Sequence, residues 1–357
     1  MYRTTLATSL LAAALLAGNA VPAQAAGSAP SAPAASTGST AKAADYPVAD
    51  ALAEVTGFVK ASQTAALAEG FTSVMSITQD PANAFTLTTT VDRAGNQHMV
   101  ASGDGIGGPF DSLTIAGVGS WFGLKGDMIG SIFGKAALKR ALKYLGKSDA
   151  TYVFMASPKT PKADADSAGF TYGTDGLTVK AIATADKTSF GDSGGVRYTL
   201  VTKPKPKEPA STITIDVLDG RIVAEGAGED GGVLTSTWVY GAETIVAPGE
   251  AESVSIDQLI PAIEAATLPA TLKAQAGRIV KKAKASARKQ HRKVSTARIR
   301  HYAAAIVKKD NTDGREIRTH TSKVKNGARI YARNPYTHKT VAYKIVIVRG
   351  KVRISPA

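Results

Sequence analysis

The chain has 357 residues, 44% of them hydrophobic, no cysteine and a formal net charge of +14. That length gives room for two domains and that apolar content for a packed core, which excludes a wholly disordered chain. The missing cysteine excludes disulfides, thiolate metal sites and a lipid attached through an N-terminal cysteine.

Arg3 is followed by an apolar run from Leu6 to Ala17 and by Ala23-Gln24-Ala25. The run is shorter than the about 20 residues of a membrane span, and the Ala-x-Ala pattern is a cleavage signal. Together they predict a signal peptide over 1–25 and an exported, soluble mature protein, secreted or associated with the cell envelope, with no transmembrane helix. Residues 26–44 are Ala, Ser, Pro, Gly and Thr with little else, a composition that reads as a flexible spacer.

Leu52, Val55, Val59 and Ala66 recur at helical spacing, predicting a helix from Ala49 to about Glu69. The period then becomes two. Phe71, Met75 and Ile77 alternate with Thr72, Ser76 and Thr78, and Phe85, Leu87 and Val91 with Thr86, Thr88 and Thr90. An antiparallel meander follows from this pattern. Further strands are expected at Leu113–Val118, Tyr152–Met155, Leu177–Ala183, Val196–Thr202, Ile213–Val217, Arg221–Glu225, Leu234–Tyr240 and Glu243–Val246, with a helix from Lys135 to Leu145 between the first two. Asp219-Gly220 is a strong hairpin turn. The Gly-spaced apolar stretches 117–124 and 128–134 read as a lid or cavity mouth rather than regular elements.

Ala270 marks a break in composition. Residues 271–357 hold 24 Lys and Arg against 3 acidic residues, a net of +21, which leaves 19 cations against 26 acids, a net of −7, for 1–270. A cationic helical stretch from Leu272 to about Val307 precedes three expected strands, Gly327–Arg333, Thr340–Val348 and Lys351–Ser355. Period two places Arg329, Tyr331 and Arg333 on one face, with Lys351 and Arg353 as possible additions, while Arg288, Lys289, Arg292 and Lys293 crown the helix. A face of this charge with an aromatic suits a polyanion. For an exported chain that means an anionic membrane or a phosphate-bearing cell-wall polymer, with nucleic acid as the alternative.

Two motifs carry less than their spelling suggests. Gly191-Asp192-Ser193-Gly194-Gly195 matches the nucleophile loop of chymotrypsin-like serine proteases, yet Val196 stands where that family has proline, and His98 is the only histidine upstream. Asn311-Thr312-Asp313-Gly314 would need a carboxylate at His320 to complete a calcium loop. No catalytic residue, metal site or cofactor is expected.

Several stretches of 45–265 together carry a family likeness. They are Ser112-Leu113-Thr114-Ile115 leading to Gly119-Ser120-Trp121-Phe122, the hairpin Ile213 to Ile222, and Thr237 to Pro248 ending in Ala247-Pro248. With one N-terminal helix and a long run of strands, this region resembles the LolA-like lipid carriers, in particular the actinobacterial LppX/LprG group. The resemblance implies an antiparallel half-barrel wrapping helices around a cavity for acyl chains, lined here by Phe85, Leu87, Ile115, Trp121, Phe122, Ile132, Phe133 and Phe154. The expected fold is therefore α+β. A half-barrel domain over 45–268 precedes a small basic module, helix plus three-stranded meander, over 269–357. The expected function is non-catalytic: lipid binding outside the membrane, with the basic module docked on an anionic envelope surface. The alternatives are an envelope adhesion or structural protein without a cavity, and a serine hydrolase using Ser193.

Overall fold

The computed structural model describes residues 46–78, 84–103, 109–125, 127–164, 167, 169–170, 177–191, 194–204, 209–228, 234–312 and 315–357. The signal peptide (1–25), the spacer (26–44) and Ser193 lie outside them. The protein is mixed α+β, with one large, mostly antiparallel sheet and a second, small antiparallel one, and the large sheet does not close into a barrel. The described chain divides into two compact units, one of 46–129 and 154–249, the other of 130–153 and 250–357.

In the first unit, helix α1 (Val48–Glu69) buries Ala51, Val55, Val59, Ser62, Ala65 and Ala66; of the expected stripe, Val55, Val59 and Ala66 are buried and Leu52 is half-buried. Its strands are β1 (Phe71–Thr78), β2 (Ala84–Val91), β3 (Gln97–Gly103), β4 (Phe110–Ile115), β5 (Gly119–Gly123), β6 (Tyr152–Ala156), β7 (Ile182–Phe190), β8 (Gly195–Thr202), β9 (Thr212–Leu218), β10 (Arg221–Gly228) and β11 (Leu234–Tyr240). They lie in the order β6-β5-β4-β3-β2-β1-β11-β10-β9-β8-β7. Helix α1 packs over β7, β10 and β11, where Phe71, Val91, Tyr198, Ile215, Ile222 and Trp238 form a core with it. The side chain of Ser62, fully buried in the helix, accepts the backbone N–H of Ile222 at 2.8 Å. Asp219 and Gly220 have φ of 51° and 74°, as the predicted tight turn requires. Gly119 has φ 151°, and a Cβ there would sit 2.4 Å from the Met155 carbonyl, so only glycine lets β5 approach β6.

Three expectations change here. Residues 119–123, expected as part of a lid, form strand β5, with Trp121 and Phe122 each 5% exposed. Apolar side chains on both faces of a short strand hide its period. Residues 243–246 form no strand; the Ile245 N–H instead donates to the Asp92 carboxylate at 3.0 Å, which pins the segment to the β2–β3 turn. The strand expected at 177–183 lies later, over Ile182–Phe190, because Thr188, Lys187 and Asp186 mask its alternation.

The second unit contains α2 (Asp127–Phe133) from Gly130 onward, α3 (Lys135–Tyr144), the short strand β12 (Ser253–Ser255), α4 (Ile256–Lys289), α5 (Thr296–Thr312) and a four-stranded sheet. That sheet is β13 (His320–Val324), β14 (Gly327–Arg333), β15 (Thr340–Val348) and β16 (Lys351–Pro356), in chain order and antiparallel. Strand β13 is an addition to the expected three; its His320-Thr321-Ser322-Lys323 run has no apolar alternation to reveal it. The expected boundary at 268/269 falls inside α4, a single 34-residue helix capped by the Ser255 hydroxyl. Charge changes at Ala270, but the apolar stripe does not. Leu259, Ala262, Ala266, Leu272, Ala276, Ile279 and Ala283 are all buried.

Pro269 stands within this helix and cannot donate to the Ala265 carbonyl one turn back. The Asn334 side chain supplies that bond instead, Nδ2 to O at 3.1 Å. The same side chain accepts the N–H groups of Tyr336 and Thr337 at 2.9 and 3.0 Å, fixing the β14–β15 loop. Tyr336 then stacks on Tyr144 of α3, centroids 5.5 Å apart.

Candidate polyanion-binding face

Pairing register decides which side chains share a face of the small sheet. Ala328, Ile330, Ala332 and Ile345 lie under α4 and α5, none more than 2% exposed, packed with Ala276, Ile279, Ile299 and Ala303. Their neighbours in sequence therefore project from the other face. His320, Tyr331 and Ala342 form one cross-strand row there. Ser322, Arg329, Lys344 and Ser355 form the next, and Val324, Gly327, Val346 and Arg353 the third. Arg333 continues the face beyond Tyr331, opposite Thr340. The period-two reading of Arg329, Tyr331 and Arg333 thus holds, and Lys344 and Arg353 join them. Lys351 is paired with Val348 at the hairpin end of the same face.

Arg329 and Lys344 stand directly opposite one another, with side-chain Cβ atoms about 5 Å apart by strand geometry. Like charges in that relation repel, and no acidic side chain occupies any of these rows. The Arg329 guanidinium lies over the Tyr331 ring at 5.0 Å, and its Nε is buried without a hydrogen-bond partner. The His320 ring sits 5.5 Å from the same tyrosine. Tyr331 is thereby engaged by two neighbours and holds both in place.

Arg288, Lys289, Arg292 and Lys293 are exposed but belong elsewhere. Helix α4 packs on the covered face, and the α4–α5 turn lies at the hairpin end, where Arg300 of α5 donates to the carbonyls of Val324 and Gly327 at 2.9 Å each. The seven expected polyanion contacts therefore fall into two patches, three on the open face and four on the helix layer. Arg288 and Lys289 also have a local reason to be cationic, since they end a long helix whose C-terminus carries partial negative charge.

Pairing register also divides the expected cavity residues of the large sheet between its two faces. Phe85, Leu87 and Phe122 share the α1 side of the large sheet, whereas Ile115 and Trp121 project from the reverse. Phe154 stacks on Trp121, centroids 4.4 Å apart. Ile132 and Phe133 belong to the other compact unit. On the first unit's sheet these residues accordingly do not all share one face, because strand parity separates positions that look equally apolar in sequence.

Gly191 and Gly194 flank the β7–β8 turn with φ of 66° and 75°, and a Cβ at Gly195 would meet the Phe190 ring at 2.6 Å. These glycines shape a hairpin. His98 pairs with Asp111 at 2.9 Å on β3 and β4, and β3 lies six strand steps from β8, about 29 Å along the sheet. No cluster of three His, Asp or Glu with metal-binding geometry occurs among the described residues. Asn311 instead clamps the start of β13, exchanging bonds with the Thr319 backbone at 2.8 and 2.9 Å. No described helix is long and apolar enough to cross a membrane.

No protein-family model matches the chain, and no curated protein matches it in sequence.

Proposed function

We propose that the second unit is a docking module for a phosphate-bearing anionic surface of the cell envelope, and that the chain is exported and non-catalytic. The observation that carries this reading is the Arg329–Lys344 pair, two cations directly opposed on a face whose rows hold no acid. Folding tolerates that repulsion, and a polyanion relieves it. Nucleic acid fits less well. Base recognition by an aromatic needs a free ring face, and Tyr331 already carries Arg329 and His320.

The first unit serves as the carrier in this reading, a LolA-like open sheet that takes an apolar ligand. One observation favours it: Leu234, Ile77 and Phe85 lie in a single half-buried row across β11, β1 and β2. The site residues then narrow to the α1 side of the sheet, Phe85, Leu87 and Phe122.

Flotation of the mature chain with anionic and neutral vesicles tests the docking. Binding should be confined to anionic vesicles and fall away between 0.1 M and 1 M salt, as the screening length shrinks from about 10 Å to about 3 Å. Binding that is absent at low salt, or unchanged at high salt, refutes it. Organic extraction and mass spectrometry of the same preparation test the carrier; an empty extract leaves the envelope-structural role.

A further inference from the structure

Beyond Tyr331, at the end of the open face away from the hairpins, lies an open cleft of about 510 Å³. That volume is within the usual range for small-molecule sites, about 300–1,000 Å³. Arg318, His320, Tyr331, Arg333, Thr340 and Glu316 line it. The polar groups among them are two guanidiniums, two hydroxyls, an imidazole and one carboxylate, beside apolar Ile317 and Pro335. Arg333 gives only its Nε to the protein, to the His338 carbonyl at 3.3 Å, so both terminal nitrogens remain for a ligand. Arg318 is exposed.

The walls of this cleft are held before any ligand arrives. Glu264 of α4 accepts the N–H groups of Glu316 and Ile317 at 3.0 and 3.1 Å. Asn311 clamps Thr319, and Asn334 fixes the loop that follows Arg333. Flexible lysines on a merely solvated surface have no such support. Two exposed guanidiniums on this braced backbone match the oxygens of a phosphate group, and the hydroxyls beside them match a polyol.

We propose that this cleft binds a phosphate ester of a polyol, one glycerol phosphate or sugar phosphate unit, as a specific subsite within the docking face. The inference rests on the polyanion reading above and adds a selectivity that charge alone lacks. The source of the unit is a lipid headgroup or a wall polymer, which share this chemistry.

The test is calorimetric titration of the mature chain with sn-glycerol 3-phosphate, inorganic phosphate and glycerol at low salt. Glycerol 3-phosphate should bind more tightly than either part. The double variant Arg318→Gln/Arg333→Gln should weaken it about tenfold or more, since each guanidinium makes a charged hydrogen bond. Arg292→Gln/Lys293→Gln removes the same charge from the α4–α5 turn and should change it less than about twofold. Thr340→Val, which keeps every charge and perturbs folding least, should weaken it about threefold. Displacement of glycerol 3-phosphate by soluble poly(glycerol phosphate), or by phosphatidylglycerol vesicles, supports the cleft and identifies the source. Equal losses in the two double variants overturn the proposal, as does inorganic phosphate binding as tightly as glycerol 3-phosphate. A chain that still floats with anionic vesicles but ignores glycerol 3-phosphate refutes the cleft alone; a chain that does neither refutes the docking reading beneath it.

Discussion

Lys344→Glu is expected to make the protein more stable and a poorer binder. Lys344 faces Arg329 across β14 and β15 at about 5 Å. That is the Cβ spacing; unit charges as close as this would interact in water by about 0.8 kcal/mol, so reversing one sign swings the pair by at most about 1.7 kcal/mol. Screening at 0.1 M salt reduces that bound to about 1 kcal/mol, the top of the about 0.2–1 kcal/mol that cross-strand charge pairs contribute. Binding should move the other way. A cation near an anionic surface is worth about 1 kcal/mol, so exchanging it for an anion costs about 2 kcal/mol, or about 30-fold in affinity. Urea unfolding, followed by a probe in the small sheet, reads the first effect, and vesicle flotation at 0.1 M salt reads the second. Lys344→Gln should give about half of each. A variant that is less stable than wild type, or equally stable with undiminished binding, would show that the opposed cations are not held apart for a partner.

Four other outcomes follow. Gly327→Ala should destabilise the small sheet by about 1–3 kcal/mol or prevent its folding, since a Cβ there would lie 1.8 Å from the Ile345 carbonyl oxygen; urea unfolding measures it. Hydrogen bonds from Lys187, Tyr198 and Tyr46, with Lys187 first, hold the Glu54 carboxyl below its ordinary value. Its stabilisation is therefore present above the unfolded value of 4.5 and lost as pH falls through the folded one, so Glu54→Gln should flatten the acid limb of the unfolding profile below about pH 5. Asn334→Ala should cost about 1–3 kcal/mol by leaving the Ala265 carbonyl without its partner, read from denaturant midpoints. A fluorophosphonate probe should leave Ser193 unlabelled, given how far His98 lies from β8.

Sequence period alone revealed the α1 stripe and the open face of β14, because in both the alternation of apolar and polar residues is unbroken. It failed where both faces are apolar. In the segment Trp121-Phe122, parity rather than hydropathy decides which ring faces α1, and only the pairing register supplies parity. Composition likewise misplaced the division of the chain. The cations begin at Lys273, yet α4 starts at Ile256, and its stripe was already running in residues that carry no cation. The cleft was invisible for another reason: Arg318, Tyr331 and Thr340 come from three separate segments that meet only through the sheet.

Pro269 would ordinarily be counted against the helix that contains it. Here the acceptor it frees works as an address on the helix surface, read by one side chain 69 residues from Ala265. Position 334 is thus constrained by what stands at 269. A chain with alanine at 269 would return the carbonyl to the helix, and asparagine at 334 would lose that partner. The two positions should accordingly change together in any lineage that carries this module, and the loop beside the phosphate cleft would be released or held by a substitution within a helix that never touches the ligand.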